Sequence, residues 1–107
     1  MKKEHKFYKI CWSVPQLAGL YSAWTNIEKE TYLTKDEAYE AMKNLADKLC
    51  KKLSTTYATK LNQFGYKMIE PTMLECKAPI IFRGVIIQEN LYTFDASPVG
   101  YLQVFEV

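Results

Sequence analysis

The stretch TKDEAYEAMKNLADKLCKKL, residues 34–53, decides the fold, because it contains the strongest helix signal in the chain. Its apolar residues recur at helical spacing and form one stripe of Ala38, Met42, Leu45, Leu49 and Leu53. At its start, Thr34 and Glu37 fit the capping box, in which the threonine oxygen accepts from a backbone amide. The pattern predicts a long helix over residues 35–64, with Gly65 as the left-handed residue that ends it.

Extended segments precede this helix. Residues 7–14, FYKICWSV, alternate an apolar face with a mixed one, which predicts a half-buried antiparallel strand that ends at Pro15. A second strand is expected at residues 20–25, followed by a turn at 26–30 and a return to the sheet at 31–33. The region 20–33 therefore reads as a hairpin, although its pattern is the weakest in the chain.

Further extended segments follow the helix. Short strands are predicted at residues 73–76, 80–88, 91–94 and 101–106. Arg83 and Gly84 form either a tight turn or a bulge within the longest of them. Residues 95–100, DASPVG, read as a loop because Asp, Ser, Pro and Gly are typical turn residues.

The order of these elements, β-β-α-β-β-β, predicts one α+β domain over residues 1–107, with the helix packed on a mostly antiparallel sheet. A single helix covers one face of such a sheet and leaves much of the second face uncovered. The chain also contains eight tyrosines, five phenylalanines and two tryptophans. We therefore expect some aromatic side chains to face outward or to lie in an interface.

Composition favours a protein of the cytoplasm, either of the cell that produces it or of a host cell. The net charge is +2, and no apolar run approaches the ~18 residues that span a bilayer. A basic N-terminus is not followed by the apolar core of a signal peptide. The cysteines Cys11, Cys50 and Cys76 are odd in number and widely spaced, which favours buried, reduced thiols over disulfides or metal ligands.

Catalytic and cofactor signatures are missing from the sequence. His5 is the single histidine, so neither a zinc site nor a Cys–His or Ser–His pair can be assembled from closely spaced residues. The four glycines are isolated, so no phosphate-binding loop can be formed. The sequence therefore predicts no enzyme activity, no catalytic residue, no metal and no cofactor.

A lysine-rich helix face is one candidate site. Lys48, Lys51 and Lys52 lie opposite the apolar stripe, and Lys60 follows them. Such a patch is able to neutralise phosphates, which would make the protein a nucleic-acid-associated module. However, acidic residues occupy the first helical turns and lysines occupy the last turns, an arrangement that the helix dipole favours. The alternative is therefore a solvated face without a binding role.

The aromatic residues are the other candidate site. Trp12 lies on the apolar face of the first strand and is expected in the core. Five residues near the uncertain hairpin and the last strands are better candidates for exposed interface anchors: Tyr21, Trp24, Tyr32, Tyr92 and Tyr101. Core packing remains the alternative for each of them.

In general character the chain resembles small proteins of phages and mobile elements, which are short, rich in lysine and tyrosine, and free of catalytic motifs. That resemblance implies a protein that binds, and inhibits or modulates, a host or defence factor. We therefore predict a protein-binding domain with a protein partner, with nucleic-acid binding as the alternative, no membrane association, and homodimerisation compatible with either.

Overall fold

A computed structural model describes residues 7–17, 26–56, 64–73 and 80–107. Within these ranges, one helix and five strands occur in the order β1 (Tyr8–Ser13), β2 (Asn26–Ile27), α1 (Lys35–Thr56), β3 (Phe64–Met73), β4 (Ile80–Asn90) and β5 (Ala96–Glu106). A single 3-10 turn at Pro15–Leu17 follows β1.

The strands form one sheet in the order β2-β1-β5-β4-β3, and every neighbouring pair is antiparallel. The predicted α+β class and the order β-β-α-β-β-β are therefore confirmed. Long β5 lies at the centre of the sheet, between β1 and β4. Strand β3 forms one edge and carries Lys67, Glu70 and Pro71, residue types that discourage edge-to-edge pairing between sheets.

Helix α1 begins as the sequence predicted. The Glu37 amide donates to Thr34 Oγ1 at 3.1 Å, and the Ala38 amide donates to the Thr34 carbonyl at 3.2 Å. These bonds satisfy amides that would otherwise have no partner in the first turn. The apolar stripe then packs on the sheet.

The core lies between α1 and one face of the sheet. Alternate residues of β1, including Trp12, point into it, as do Leu102 and Val104 of β5 and Ile86 of β4. From the helix, four members of the predicted stripe are buried: Ala38, Met42, Leu49 and Leu53. The fifth, Leu45, is partly buried against the same core.

The predicted end of the helix is wrong. Phe64 and Gly65 belong to β3, where they pair with Asn90 and Glu89 of β4, so Gly65 is not a helix cap. The last described helical residue is Thr56. The strand predicted at residues 73–76 is in fact the end of the much longer β3 as far as Met73, and residues 74–76 lie outside the described ranges.

One of the two alternatives for Arg83 and Gly84, the tight turn, is also wrong. Arg83 and Gly84 lie inside β4 and pair with Gln103 and Leu102, with no turn between them. A side chain at position 84 would collide with the Met68 sulfur, so the glycine leaves room for Met68. In the β4–β5 pairing the register shifts lie between Ile80 and Phe82 and between Ile86 and Ile87. In the β3–β4 pairing a shift between Ile69 and Thr72 lies opposite Gly84, so the chain has a bulge at this point, on β3.

Residues 95–100 are mostly strand rather than loop. Pro98, which cannot donate to the ladder, pairs with Ile87 beside the second register shift, where an irregularity tolerates proline. Gly100 lies so close to β1 that an added side chain would meet the Ser13 carbonyl oxygen at 2.7 Å. Conversely, residues 91–94, predicted as a strand, form the connecting turn.

Near the N-terminal strands, residues 26–27, predicted to start a turn, form β2 and pair with Trp12 and Cys11. Tyr32 makes an isolated bridge with Tyr8, which agrees with a return to the sheet at 31–33. The strand predicted at 20–25 lies outside the described residues.

Candidate functional site

The loop between β4 and β5, residues 90–95, carries the densest group of exposed apolar side chains in the described part of the chain. We call it the hairpin tip. Leu91, Tyr92 and Phe94 are 48%, 67% and 75% exposed. Of the other large apolar side chains with high exposure, Phe7 and Val107 are neighbours, because the Val107 amide donates to the Phe7 carbonyl, whereas Ile27, Leu33 and Ile69 lie on separate segments. Single exposed apolar side chains are ordinary for a folded protein.

The hairpin tip is held by hydrogen bonds, and Leu91 also packs over Gly65 of β3. Asn90 Oδ1 accepts from the Tyr92 and Thr93 amides at 2.9 and 3.1 Å. The Phe94 amide donates to the Asn90 carbonyl at 2.7 Å, and the Asn90 amide donates to the Asp95 carbonyl at 2.8 Å. Thr93 Oγ1 donates to Asp95 Oδ2 at 3.0 Å. This network fixes the loop and so fixes where its apolar side chains point.

Phe94 has a left-handed backbone, with φ of 64°. Glycine and asparagine adopt this conformation readily, whereas for a phenylalanine it costs about 1–2 kcal/mol of conformational free energy. The strain is not offset by burial, because the ring is largely in solvent. Backbone strain at an exposed aromatic side chain is a feature that structures tend to keep at functional sites.

The charge around the hairpin tip is negative. No lysine or arginine occurs after Arg83 in the sequence, while Glu89 and Asp95 flank the loop. Lys67 Nζ lies 3.6 Å from Glu89 Oε2, so the nearby cation is already paired. A surface of this sign is poorly suited to anionic lipids or to nucleic-acid phosphates.

The second candidate site is a cleft on the face of the sheet away from α1. It is an open cleft of about 520 Å³, and its lining includes Val85, Pro98 and Tyr101. Arg83 is its charged side chain among the described lining residues. The Arg83 guanidinium lies 5.6 Å from the centre of the Tyr101 ring, within cation–π range.

Gln103 holds Arg83 in place. With its amide oriented to satisfy both groups, the Gln103 oxygen accepts from Arg83 Nε and Nη2 at 3.1 and 3.2 Å. The other end of this amide lies 3.6 Å from the Cys11 sulfur. Cys11, Gln103 and Arg83 thus form a row across β1, β5 and β4. Cys11 and Gln103 are buried, although no helix within the described ranges covers this face.

The two described cysteines are free thiols with little nucleophilic character. Burial raises the pKa of Cys11. Burial, reinforced by the nearby Asp47 carboxylate, raises the pKa of Cys50 to about 11 from an ordinary value of 9.0. Both shifts favour the neutral thiol, whereas a thiolate is the reactive species.

These pKa shifts give an expected result for thiol labelling. In a Cys76→Ser variant at pH 8, Cys50 should react with a disulfide reagent about 100-fold more slowly in the folded protein than in denaturant, because two pKa units lower the thiolate fraction by that factor. Cys11 should also be slow. A thiol that reacts at the denatured rate in the folded protein would contradict this description.

The structure places the predicted aromatic anchors in different surroundings. Tyr92 lies on the hairpin tip, and Tyr101 lies in the cleft below Arg83. Tyr32 is partly buried against the core, where its amide and carbonyl both bond with Tyr8. Tyr21 and Trp24 lie outside the described residues. Trp12 is buried in the core, as predicted.

The lysine face is exposed as far as it is described. Lys48, Lys51 and Lys52 lie on the outer side of α1, and Asp47 is exposed beside them. Lys60 lies outside the described residues. The predicted nucleic-acid site therefore consists, in the described part, of three exposed lysines on one helix.

Sequence reasoning missed Leu91 and Phe94 as site residues, because it placed them in a strand, and it gave Arg83 no role. The signal for the first two was present in Asn90 and Asp95, turn residues that bracket a short apolar segment. The importance of Arg83 depends on its cross-strand neighbours Gln103 and Tyr101, which no local pattern reveals.

Among the described residues, no three His, Cys, Asp or Glu side chains lie together in a way that would hold a metal ion. No helix in the described stretches combines the length and the apolarity needed to cross a bilayer. Comparison of the chain with family models, curated proteins and solved structures gives no match.

Proposed function

We propose that this protein is a non-enzymatic protein-binding domain that inserts its hairpin tip into an apolar pocket of a partner protein and thereby modulates that partner. The observation that carries the proposal is the joint exposure of Leu91, Tyr92 and Phe94 on one hydrogen-bonded loop. Clustered exposed apolar side chains mark interaction surfaces, whereas single ones do not.

The ordered loop lowers the entropic cost of binding. A flexible loop loses conformational freedom when a partner immobilises it, and that loss subtracts from affinity. Here the Asn90 side chain and the Asp95 carbonyl already fix the backbone. Aromatic anchors such as Tyr92 and Phe94 have few rotatable bonds and contribute large contact areas, so they are effective hot-spot residues.

Charge indicates the chemistry of the partner. With Asp95 at the rim and no basic residue in the hairpin tip, the best complement is an apolar pocket bordered by lysine or arginine. Asp95 would then steer association and disfavour acidic surfaces. Anionic lipids and nucleic-acid phosphates are negatively charged, so they complement this acidic surface poorly.

Affinity capture with matched variants tests the proposal. The wild-type protein is compared with a Leu91→Ser, Tyr92→Ser, Phe94→Ser variant, and with a control in which Ile27, Leu33 and Ile69 become serine. The control residues are 59%, 65% and 50% exposed, so both triple variants remove similar apolar surface. We expect a partner that is retained by the control, survives nuclease treatment, and is lost with the hairpin-tip variant.

Two outcomes would contradict the proposal. Equal retention of the partner by both triple variants would place the interface elsewhere. Recovery of nucleic acid that is lost in moderate salt, and lost again when Lys48 and Lys52 are changed to glutamate, would instead favour the lysine face of α1.

A further inference from the structure

We infer that the cleft beside Arg83 is a binding site for a small monocarboxylate with an apolar body. This site is separate from the hairpin tip. Among the described residues that line the cleft are Pro98, Val99 and Gly100 of β5, but none of Leu91, Tyr92 and Phe94.

The anion site follows from the donors that Arg83 retains. A guanidinium has five N–H bonds in a fixed plane. Gln103 takes one bond from Nε and one from Nη2, which leaves three, on Nη1 and Nη2, with no acceptor in the described part of the chain. The edge formed by Nη1 and Nη2 is a fork that matches the two oxygens of a carboxylate.

Arg83 is also pre-positioned. Gln103 holds one edge of the guanidinium, and the centre of the Tyr101 ring lies 5.6 Å from it, so these contacts reduce the side-chain freedom that the exposed Arg83 loses when a ligand binds. No carboxylate of the described chain pairs with Arg83. Because Gln103 and Tyr101 are neutral, no ion pair cancels the positive charge of Arg83, and this charge remains available to a ligand.

The other residues that line the cleft indicate the chemistry of the rest of the ligand. Val85, Val99 and two prolines, Pro15 and Pro98, contribute apolar surface, and Ser13 and Gln16 are polar residues of the lining. A volume of about 520 Å³ lies within the range of small-molecule sites, which combine apolar walls with few polar groups. One cation in such surroundings matches one negative charge, so a monocarboxylate fits better than a phosphate dianion.

Titration followed by amide NMR tests the inference on the wild-type protein, with octanoate and 3-phenylpropionate as probes and their primary amides as uncharged controls. We expect saturable shifts of the Gly100 and Tyr101 amides with a Kd of ~1 mM or below for at least one acid. The matching amide should bind about tenfold more weakly or worse, because it lacks the charge-assisted bonds to Arg83.

Variants locate the site. Arg83→Gln should weaken binding of the acid about tenfold or more, whereas Lys67→Gln, which removes an exposed cation from the same face of the sheet, should not. Val85→Phe should weaken binding by filling the cleft without changing the charge. Equal affinity for acid and amide, shifts confined to residues outside the cleft, or an unaffected Arg83→Gln variant would each overturn the inference.

Discussion

Replacing Leu102 with alanine is expected to lower the free energy of unfolding by about 3 kcal/mol, since a leucine-to-alanine change in a closed core typically costs 2–5 kcal/mol. Leu102 is 0% exposed and lies on β5, the central strand, with Trp12 and Gly84 as its cross-strand neighbours. The flexible Met68 side chain lies over Gly84 and fills part of the resulting cavity, which keeps the expected loss in the lower half of that range.

Urea denaturation measures this change, and Ile69→Ala provides the control. Ile69 is 50% exposed on edge strand β3, so its truncation should cost less than about 1 kcal/mol. If Leu102→Ala lost no more stability than Ile69→Ala, the core would not lie between α1 and the centre of the sheet.

Phe94→Asn is expected to separate stability from binding. Asparagine tolerates the left-handed backbone at this position, so the free energy of unfolding should rise by about 1 kcal/mol. The same change removes the most exposed aromatic ring of the hairpin tip, and partner affinity should fall about 30-fold or more, as for a hot-spot residue. A gain in stability combined with a loss of binding would indicate that the strain is retained for function.

Phe94→Tyr is the matched control, because it keeps both the aromatic ring and the backbone strain. It should leave stability nearly unchanged and preserve most of the affinity. If Phe94→Asn lowered the free energy of unfolding, the ring would stabilise the fold. If Phe94→Asn left the partner affinity unchanged, Phe94 would not belong to the interface.

The parts of the fold that depend on local chemistry could be predicted from the sequence. The stripe from Ala38 to Leu53 and the Thr34 cap determined the helix, and the alternation around Trp12 determined β1 and the buried face. These signals are strong because each residue contributes to one periodic pattern that tertiary contacts then reinforce.

The β4–β5 hairpin could not be predicted in the same way. Pro98 and Gly100 have a strong preference for loops, yet a register shift accommodates the proline, and close approach to Ser13 favours the glycine. Arg83 and Gly84 look like a turn, but pairing on both sides keeps them in a central strand. In each case long-range pairing overrides the local preference.

The candidate sites were only partly accessible from the sequence for the same reason. Tyr92 was identified by residue type, but Leu91 and Phe94 become part of a surface only when the turn is placed correctly. The left-handed conformation of Phe94 runs against its residue type, so only the structure reveals it.

Site-specific photo-crosslinking in cells tests the central claim most directly. A benzophenone amino acid replaces Phe94 in one variant and Leu33 in another, because Leu33 is 65% exposed on a different part of the surface. We expect position 94 to crosslink to one dominant protein, with position 33 giving no such product. No crosslinked partner at position 94, or the same products at both positions, would contradict the assignment of the hairpin tip as the binding surface.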